Sequence, residues 1–263
     1  MQNYLIFKSL LTHVKQNNFL PVRDPVKRES WSGTDTETLF KKNLKTQSSD
    51  WYYRTHAVNY TTNSLGYRTK EFKDINWADS IVLFGCSNVF GVGLDDRDTL
   101  SSQLERITGI PVINMGMGGT SVNYNLHNSV IMANAYPTPR AVVQVWTSPD
   151  RCVYYWNRHV ESFGAWKWEK NNFMDLWTRS DTNPKVNALM AQIIFRQIFK
   201  DRTSIYECTF NPESAPLFKC TSYHNMNKIR LHDFKDFARD LMHPGIQTVN
   251  DAAHDIANNL CIS

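Results

Sequence analysis

A chain of 263 residues with 41% apolar and 21% charged residues can bury a sizeable core and excludes a disordered or fibrous protein. No apolar run approaches the roughly 18 residues of a membrane span, and Met1 to Val14 lacks the cationic start and small-residue cleavage site of a signal peptide, which points to a cytoplasmic setting. The net charge of +4 divides into +5 over residues 1–78 (12 Lys/Arg, 7 Asp/Glu) and −1 over the rest (17 and 18), a balance that leaves no nucleic-acid footprint.

Residues 1–78 are polar and weakly periodic, and read as a short helix followed by an arm that wraps the core. Asn63-Ser64-Leu65-Gly66-Tyr67-Arg68 marks a tight turn at its end. A regular pattern then starts. Ser80 to Gly85 is a buried strand that runs into Cys86-Ser87-Asn88. Asp98 caps a helix over Thr99–Thr108, with Leu100, Leu104 and Ile107 on one face and Gly109 closing it. Pro111–Asn114 is a second strand, followed by the glycine-rich turn Gly116–Gly119. A helix from about Ser121 to Ala135 places Val122, Leu126, Val130 and Ala133 inward, and Ala141–Trp146 is a third strand. Strand, helix, strand, helix, strand at this spacing means a parallel sheet with crossover helices, hence an α/β fold.

Residues from about 151 to 235 break the rhythm and read as an insertion over the sheet edge. They open on an aromatic belt (Tyr154, Tyr155, Trp156, Phe163, Trp166, Trp168, Phe173, Trp177). A helix follows, capped by Asn183, with Pro184 first and Val186, Leu189, Ile193 and Ile194 apolar. Ile205–Phe210 is a candidate strand. A last helix, Thr248 to Leu260, carries Val249, Ala253, Ile256 and Leu260 inward.

The chemistry rests on three distant segments. A serine hydroxyl needs a base within hydrogen-bond reach, and the base needs an orienting acceptor. Ser87 stands at the carboxyl end of the first strand, where open α/β sheets bind ligands. Asp240 and His243, three residues apart before Pro244-Gly245, let an aspartate hold one imidazole nitrogen while the other faces a third group. The order Ser, Asp, His is a known one for such triads. Backbone N–H groups of Ser87 and Gly119 are candidate donors to an oxyanion.

Gly85-Cys86-Ser87, Asn114-Met115-Gly116-Met117-Gly118-Gly119, Thr147-Ser148-Pro149-Asp150 and Asp240-Leu241-Met242-His243-Pro244, in this order, resemble the four blocks of the SGNH hydrolases, also called GDSL esterases and lipases. The likeness covers roughly residues 80–150 and 238–260. It implies a three-layer α/β/α sandwich with a parallel sheet and no metal or organic cofactor; the chain's own pattern adds an amino-terminal arm (1–78) to the hydrolase domain (79–263). It puts Ser87 in the nucleophile position, His243 as base, Asp240 as acid and Gly119 as oxyanion glycine. Asn88, Asn123, Ser148 and Arg151 are the candidate substrate-contacting side chains.

Two positions depart from the family pattern. Cys86 replaces an aspartate, and Pro149 stands where a third oxyanion donor, an asparagine, is usual; Ser148, Arg151 or Asn123 are the candidates to compensate. The activity implied is hydrolysis of a short acyl ester, with a small molecule or an O-acetylated carbohydrate as substrate. A non-catalytic binding module and an O-acyltransferase are the alternatives.

Overall fold

The computed structural model describes Phe19 and residues 28–156, 159–164, 177, 179–180, 182–211, 227–228 and 234–260. In chain order its elements are β1 (Arg28–Glu29), α1 (Glu37–Thr46), β2 (Tyr60–Thr61), β3 (Ile81–Phe84), α2 (Ser87–Phe90), α3 (Leu100–Thr108), β4 (Val112–Asn114), α4 (Val122–Ala135) and β5 (Ala141–Trp146). There follow β6 (Cys152–Trp156), β7 (His159–Phe163), α5 (Thr182–Phe199), β8 (Ser204–Thr209), β9 (Asn227–Lys228) and α6 (Ile246–Asn259).

The central sheet has the order β4-β3-β5-β8-β9, and every pairing in it is parallel. The chain therefore starts in the middle, steps to one side for β4, and crosses back for β5. That reversal places the switch point between the carboxyl ends of β3 and β5, the crevice where doubly wound sheets bind ligands. β3 and β5 are buried along their whole length, which is why they read as unbroken apolar runs rather than alternating ones.

Helices cover both faces, giving the three α/β/α layers that the sequence implies. Ile81, Leu83, Val143 and Val145 pack on Leu100 and Leu104 of α3 and on Val249, Ala253 and Ile256 of α6. Val82, Phe84, Val142 and Trp146 face Val122, Ile131 and Met132 of α4 and Ala188, Ala191, Phe195 and Phe199 of α5. Tyr53, Val58, Tyr60, Tyr67 and Trp77 extend this second core from the segment ahead of β3, where β1 and β2 pair antiparallel. The turn at Asn63 forms as read. Its side-chain oxygen accepts from the N–H groups of Leu65 and Tyr67, both at 3.0 Å, and Gly66 takes φ 85°.

Several local expectations are corrected. Thr99, not Asp98, caps α3: its hydroxyl accepts from Ser102 N–H, while Asp98 ends the preceding 3-10 turn. The inner face of α4 is more polar than periodicity predicts. Asn125, Asn128 and Ser129 are buried and Leu126, Val130 and Ala133 only half-buried, because Asn128 donates to the Tyr67 hydroxyl and Ser129 to a carbonyl of its own helix. α5 turns the opposite way from its predicted stripe. Val186, Ile193 and Ile194 are exposed, Leu189 is half-buried, and Ala188, Ala191, Phe195 and Phe199 face the sheet. The helix starts at Thr182, so Asn183 and Pro184 lie inside its first turn.

The stretch 151–235 divides. β6 and β7 form a separate hairpin, but α5 and β8 belong to the sheet layers, since β8 pairs with β5 along all six residues. What covers one helix layer and extends the sheet is not an insertion over its edge. An ion pair is buried between these elements. Arg196 donates to Glu207 Oε2 at 2.7 Å, while Gln192 and the Trp146 indole donate to Oε1 at 3.0 and 2.9 Å. The early helix read near Met1 and the aromatics Trp166, Trp168 and Phe173 lie outside the described residues, as do the side chains of Tyr154, Tyr155 and Trp156.

Candidate functional site

β3 ends at Phe84, and Gly85 and Cys86 turn the chain into the single-turn helix α2, whose first residue is Ser87. Gly85 has no room for a side chain, since a Cβ there would meet Val89 Cγ2 at 2.3 Å. Gly91 closes α2 in the left-handed region, at φ 81°. Ser87 is thereby fixed at the carboxyl edge of β3, beside the switch point, with 8% of its surface exposed.

Four carbonyls around this turn are tied by one residue of the arm. Arg68 donates to the carbonyls of Phe90 (3.1 Å), Gly91 (2.6 Å), Leu94 (2.7 Å) and Asn59 (2.6 Å), and pairs with Asp96 at 2.8 Å. Its guanidinium lies 4.5 Å over the Tyr60 ring.

The glycine-rich turn after β4 packs against α2. Asn114 donates to the Val89 carbonyl at 2.8 Å and accepts from Gly116 N–H at 2.9 Å. Gly116 leaves no space for a Cβ, which would meet Phe90 N at 2.5 Å. Gly119 takes φ 73°, a conformation open mainly to glycine. Among the described residues, the N–H groups of Ser87 and Gly119 donate to no protein acceptor.

The third segment is the loop from Phe237 to Pro244. His243 Nδ1 lies 2.6 Å from Asp240 Oδ2, and Asp240 Oδ1 accepts from the N–H groups of Met242 and His243 at 3.0 and 3.1 Å. Leu241 sits between them at φ 59°, the left-handed region that a bulky residue rarely enters, and this bend lets the carboxylate reach both ways. Burial alone would raise the Asp240 pKa. The His243 imidazole, the Thr34 hydroxyl and the Met242 amide outweigh it and hold the carboxyl below its ordinary range. Asp236 fastens the loop to α6 by accepting from Gln247 N–H and Thr248 N–H. It serves as a cap there.

Two contacts bring this loop to Ser87. Arg239 N–H donates to the Gly93 carbonyl at 3.1 Å, just beyond α2, and a Cβ on Gly93 would meet Ala238 Cβ at 2.7 Å. His243 also bears on Cys86. Burial raises that thiol, but Arg151, the Thr147 hydroxyl, the Asn88 amide and His243 together set it below its usual pKa. The Ser87 hydroxyl itself lies 4.0 Å from Cys86 Sγ, and no hydrogen bond joins it to His243 in this state.

The arm holds the loop from behind, and sequence reasoning missed this. Thr34 donates to Asp240 Oδ2 at 2.6 Å. Asp35 pairs with Arg239 at 2.7 Å and also accepts from the Tyr60 hydroxyl. Arg239 lies 3.9 Å over the Trp31 ring, and Asn43 of α1 donates to its carbonyl at 3.1 Å. Nothing local in the sequence marks Thr34 or Asp35. Arg239 and Arg68 are visible only as charges beside recognisable motifs.

The candidate substrate-contacting residues are dispersed. Asn88 is half-buried in α2. Ser148 is committed to Asp150, and Asn123 donates to Asn187 of α5 at 3.0 Å. Two of them act on the Ser87 turn through Cys86, Arg151 by its charge and Asn88 by its backbone amide. His254 is exposed on α6. Among the described residues no group of three or more His, Cys, Asp or Glu could hold a metal ion, and no helix is long and apolar enough to cross a membrane.

No family model matches the chain. It is 34% identical over 71 residues to the uncharacterized protein YdeI of Bacillus subtilis (strain 168), a match covering 26% of this chain and about a third (36%) of that protein. Among solved structures it is similar to a carbohydrate esterase family 2 enzyme with a carbohydrate-binding domain from Corynascus thermopiles (14% identity, 68% of this chain and 64% of that one, TM-score 0.45). It is also similar to a lipolytic protein of the G-D-S-L family from Veillonella parvula DSM 2008 (11%, 68% and 96%, TM-score 0.45) and to a carbohydrate acetylesterase family member from Sinorhizobium meliloti (10%, 68% and 96%, TM-score 0.43). These likenesses are distant in both sequence and backbone.

Proposed function

We propose that the protein is a serine ester hydrolase of the SGNH type, acting through an acyl-enzyme on short acyl esters. The observation that carries the reading is the Asp240–His243 contact of 2.6 Å, docked by Gly93 beside the turn that presents Ser87 at the switch point of the sheet. An ionised, buried aspartate fixes the imidazole tautomer, so that Nε2 is left to accept a proton.

In this mechanism the Ser87 hydroxyl turns from Cys86 towards His243 when substrate enters; such bonds are often long in the free enzyme and tighten on binding. Ser87 Oγ attacks the ester carbonyl and His243 takes its proton. The carbonyl oxygen becomes negative and receives the N–H groups of Ser87 and Gly119. His243 returns the proton to the leaving alcohol, then activates a water that releases the acid and restores Ser87. Pro149 offers no donor. Ser148 and Asn123 are turned to Asp150 and Asn187, and the Arg151 charge acts on this turn through Cys86.

The test is hydrolysis of 4-nitrophenyl acetate by the wild type, Ser87→Ala and His243→Ala. Each substitution should lower kcat by at least ~10³-fold; a rate that survives Ser87→Ala within tenfold removes the nucleophile assignment. The absence of a Ser87–His243 bond favours one second reading, a binding module that kept the fold. Fluorophosphonate labelling separates the two, because a silent serine in folded protein supports the module.

A further inference from the structure

The outward face of α5 is apolar as well as the inward one. Ala188, Ala191, Phe195 and Phe199 pack on the sheet side. Val186 and Met190 each keep 51% of their surface exposed, Ile194 39% and Ile193 36%. Positions 186, 190, 193 and 194 fall on one side of the helix, and the exposed Gln197 extends the row by a further turn without a charge. Single exposed apolar residues need no partner, but a contiguous row marks a contact surface. A helix that is apolar all round is one that is covered on both sides.

The charges around the row are mostly of one sign. No acid occurs from Thr182 to Phe199. Arg196 is taken up by Glu207 on the inner side. Lys185 and Lys200 stand exposed near the two ends of the row. Beyond them the sequence sets Arg179 and Arg202 against Asp181 and Asp201. Cations therefore outnumber anions along this helix, although residues 79–263 as a whole carry −1. A lysine stem can lie along an apolar surface while its ammonium reaches a polar boundary.

We propose that α5 is an interfacial helix that docks the protein on an anionic phospholipid surface. Its apolar row enters the boundary between headgroups and acyl chains, and Lys185 and Lys200 meet the headgroup phosphates. This role is independent of the esterase reading. A second copy of the chain fits the face less well. Two-fold pairing of α5 about a point between Met190 and Ile193 runs the two helices antiparallel, so Lys185 of each copy comes near Lys200 of the other and like charges meet. A protein partner would need a groove for a convex helix, with acids at both ends; a lipid surface needs no complementary shape.

Co-sedimentation of the full chain with vesicles tests the assignment. The wild type should bind vesicles of phosphatidylcholine with about one-third phosphatidylglycerol at least tenfold more tightly than vesicles of phosphatidylcholine alone, and high salt should shrink the difference. Met190→Gln with Ile193→Gln should weaken binding at least tenfold, and Lys185→Gln with Lys200→Gln several-fold. Circular dichroism and melting temperature should not change, because all four side chains are exposed.

A wild type that stays in the supernatant with both vesicles overturns the proposal. So does binding that both variants retain within twofold. The lysine pair alone decides the matter if the first variant fails to fold. Analytical ultracentrifugation supplies the last arm: a dimer that Met190→Gln with Ile193→Gln dissociates gives the row to a second copy and overturns the lipid assignment.

Discussion

Thr34 and Asp240, 206 positions apart, are joined by a hydrogen bond of 2.6 Å to the very oxygen, Oδ2, that faces His243 Nδ1. The arm thus touches the group that orients the imidazole. Thr34→Val keeps the shape and removes the donor. A charge-assisted bond of this kind, at an exposed residue, contributes about 1 kcal/mol, so kcat should fall roughly fivefold with little change in KM. Thr34→Ser should restore it. A purely structural role would instead lower melting temperature and leave kcat of the folded fraction intact.

Asp240 also makes stability depend on pH. Its folded pKa lies below the ordinary carboxylate value. The unfolded chain therefore binds a proton more readily, and the stabilisation is present above about pH 4 and is lost as pH falls through the lower folded value. Urea unfolding of wild type and Asp240→Asn should differ by about 1–3 kcal/mol at pH 7, and the gap should narrow towards pH 3. A gap that widens with acid would contradict the depressed pKa.

Arg68 should be the most costly charged side chain of the arm to replace. Its five donor contacts satisfy four carbonyls and Asp96, and a lysine ammonium cannot reproduce that fork. Arg68→Lys should destabilise by about 3 kcal/mol or more, because buried carbonyls lose their partners. Arg97→Ala, at an exposed pair screened by solvent, should leave stability unchanged within the error of the measurement. Thermal or urea unfolding of both variants reads the contrast.

Gly93 and Gly118 make opposite predictions for the same small change. At Gly93 φ is +79° and a Cβ would press on Ala238 Cβ and on Arg239 N at 3.0 Å. Gly93→Ala should cost about 2 kcal/mol or more and displace the loop that carries His243, lowering esterase activity along with stability. Gly118→Ala meets open space, and should change stability by less than about 1 kcal/mol.

The core strands, the glycine-rich turn and the carboxyl-terminal helix were legible because their signals are local. An apolar run in β3 and β5, a left-handed glycine after α3 and the three-residue step from Asp240 to His243 each specify their geometry within a few residues. The faces of α5 were not legible for the same reason inverted. That helix carries two apolar stripes, and the branched one (Val186, Ile193, Ile194) has the stronger hydrophobic signal. The sheet has room beside Phe84 and Trp146 only for the stripe of Ala188, Ala191, Phe195 and Phe199.

The sequence alone carries the first three strands and the two helices between them, and with them the placing of Ser87 at the end of β3, since apolar period and turn chemistry act over short distances. Packing in three dimensions sets the support of that edge: Thr34 on Asp240, Asp35 on Arg239, Arg68 on the turn behind Ser87, and Ser148 and Asn123 turned to other partners. Such pairings join residues up to 206 positions apart. They exist because a folded chain must satisfy every buried carbonyl and charge with whatever donor packing brings near, and no local pattern records which donor that is.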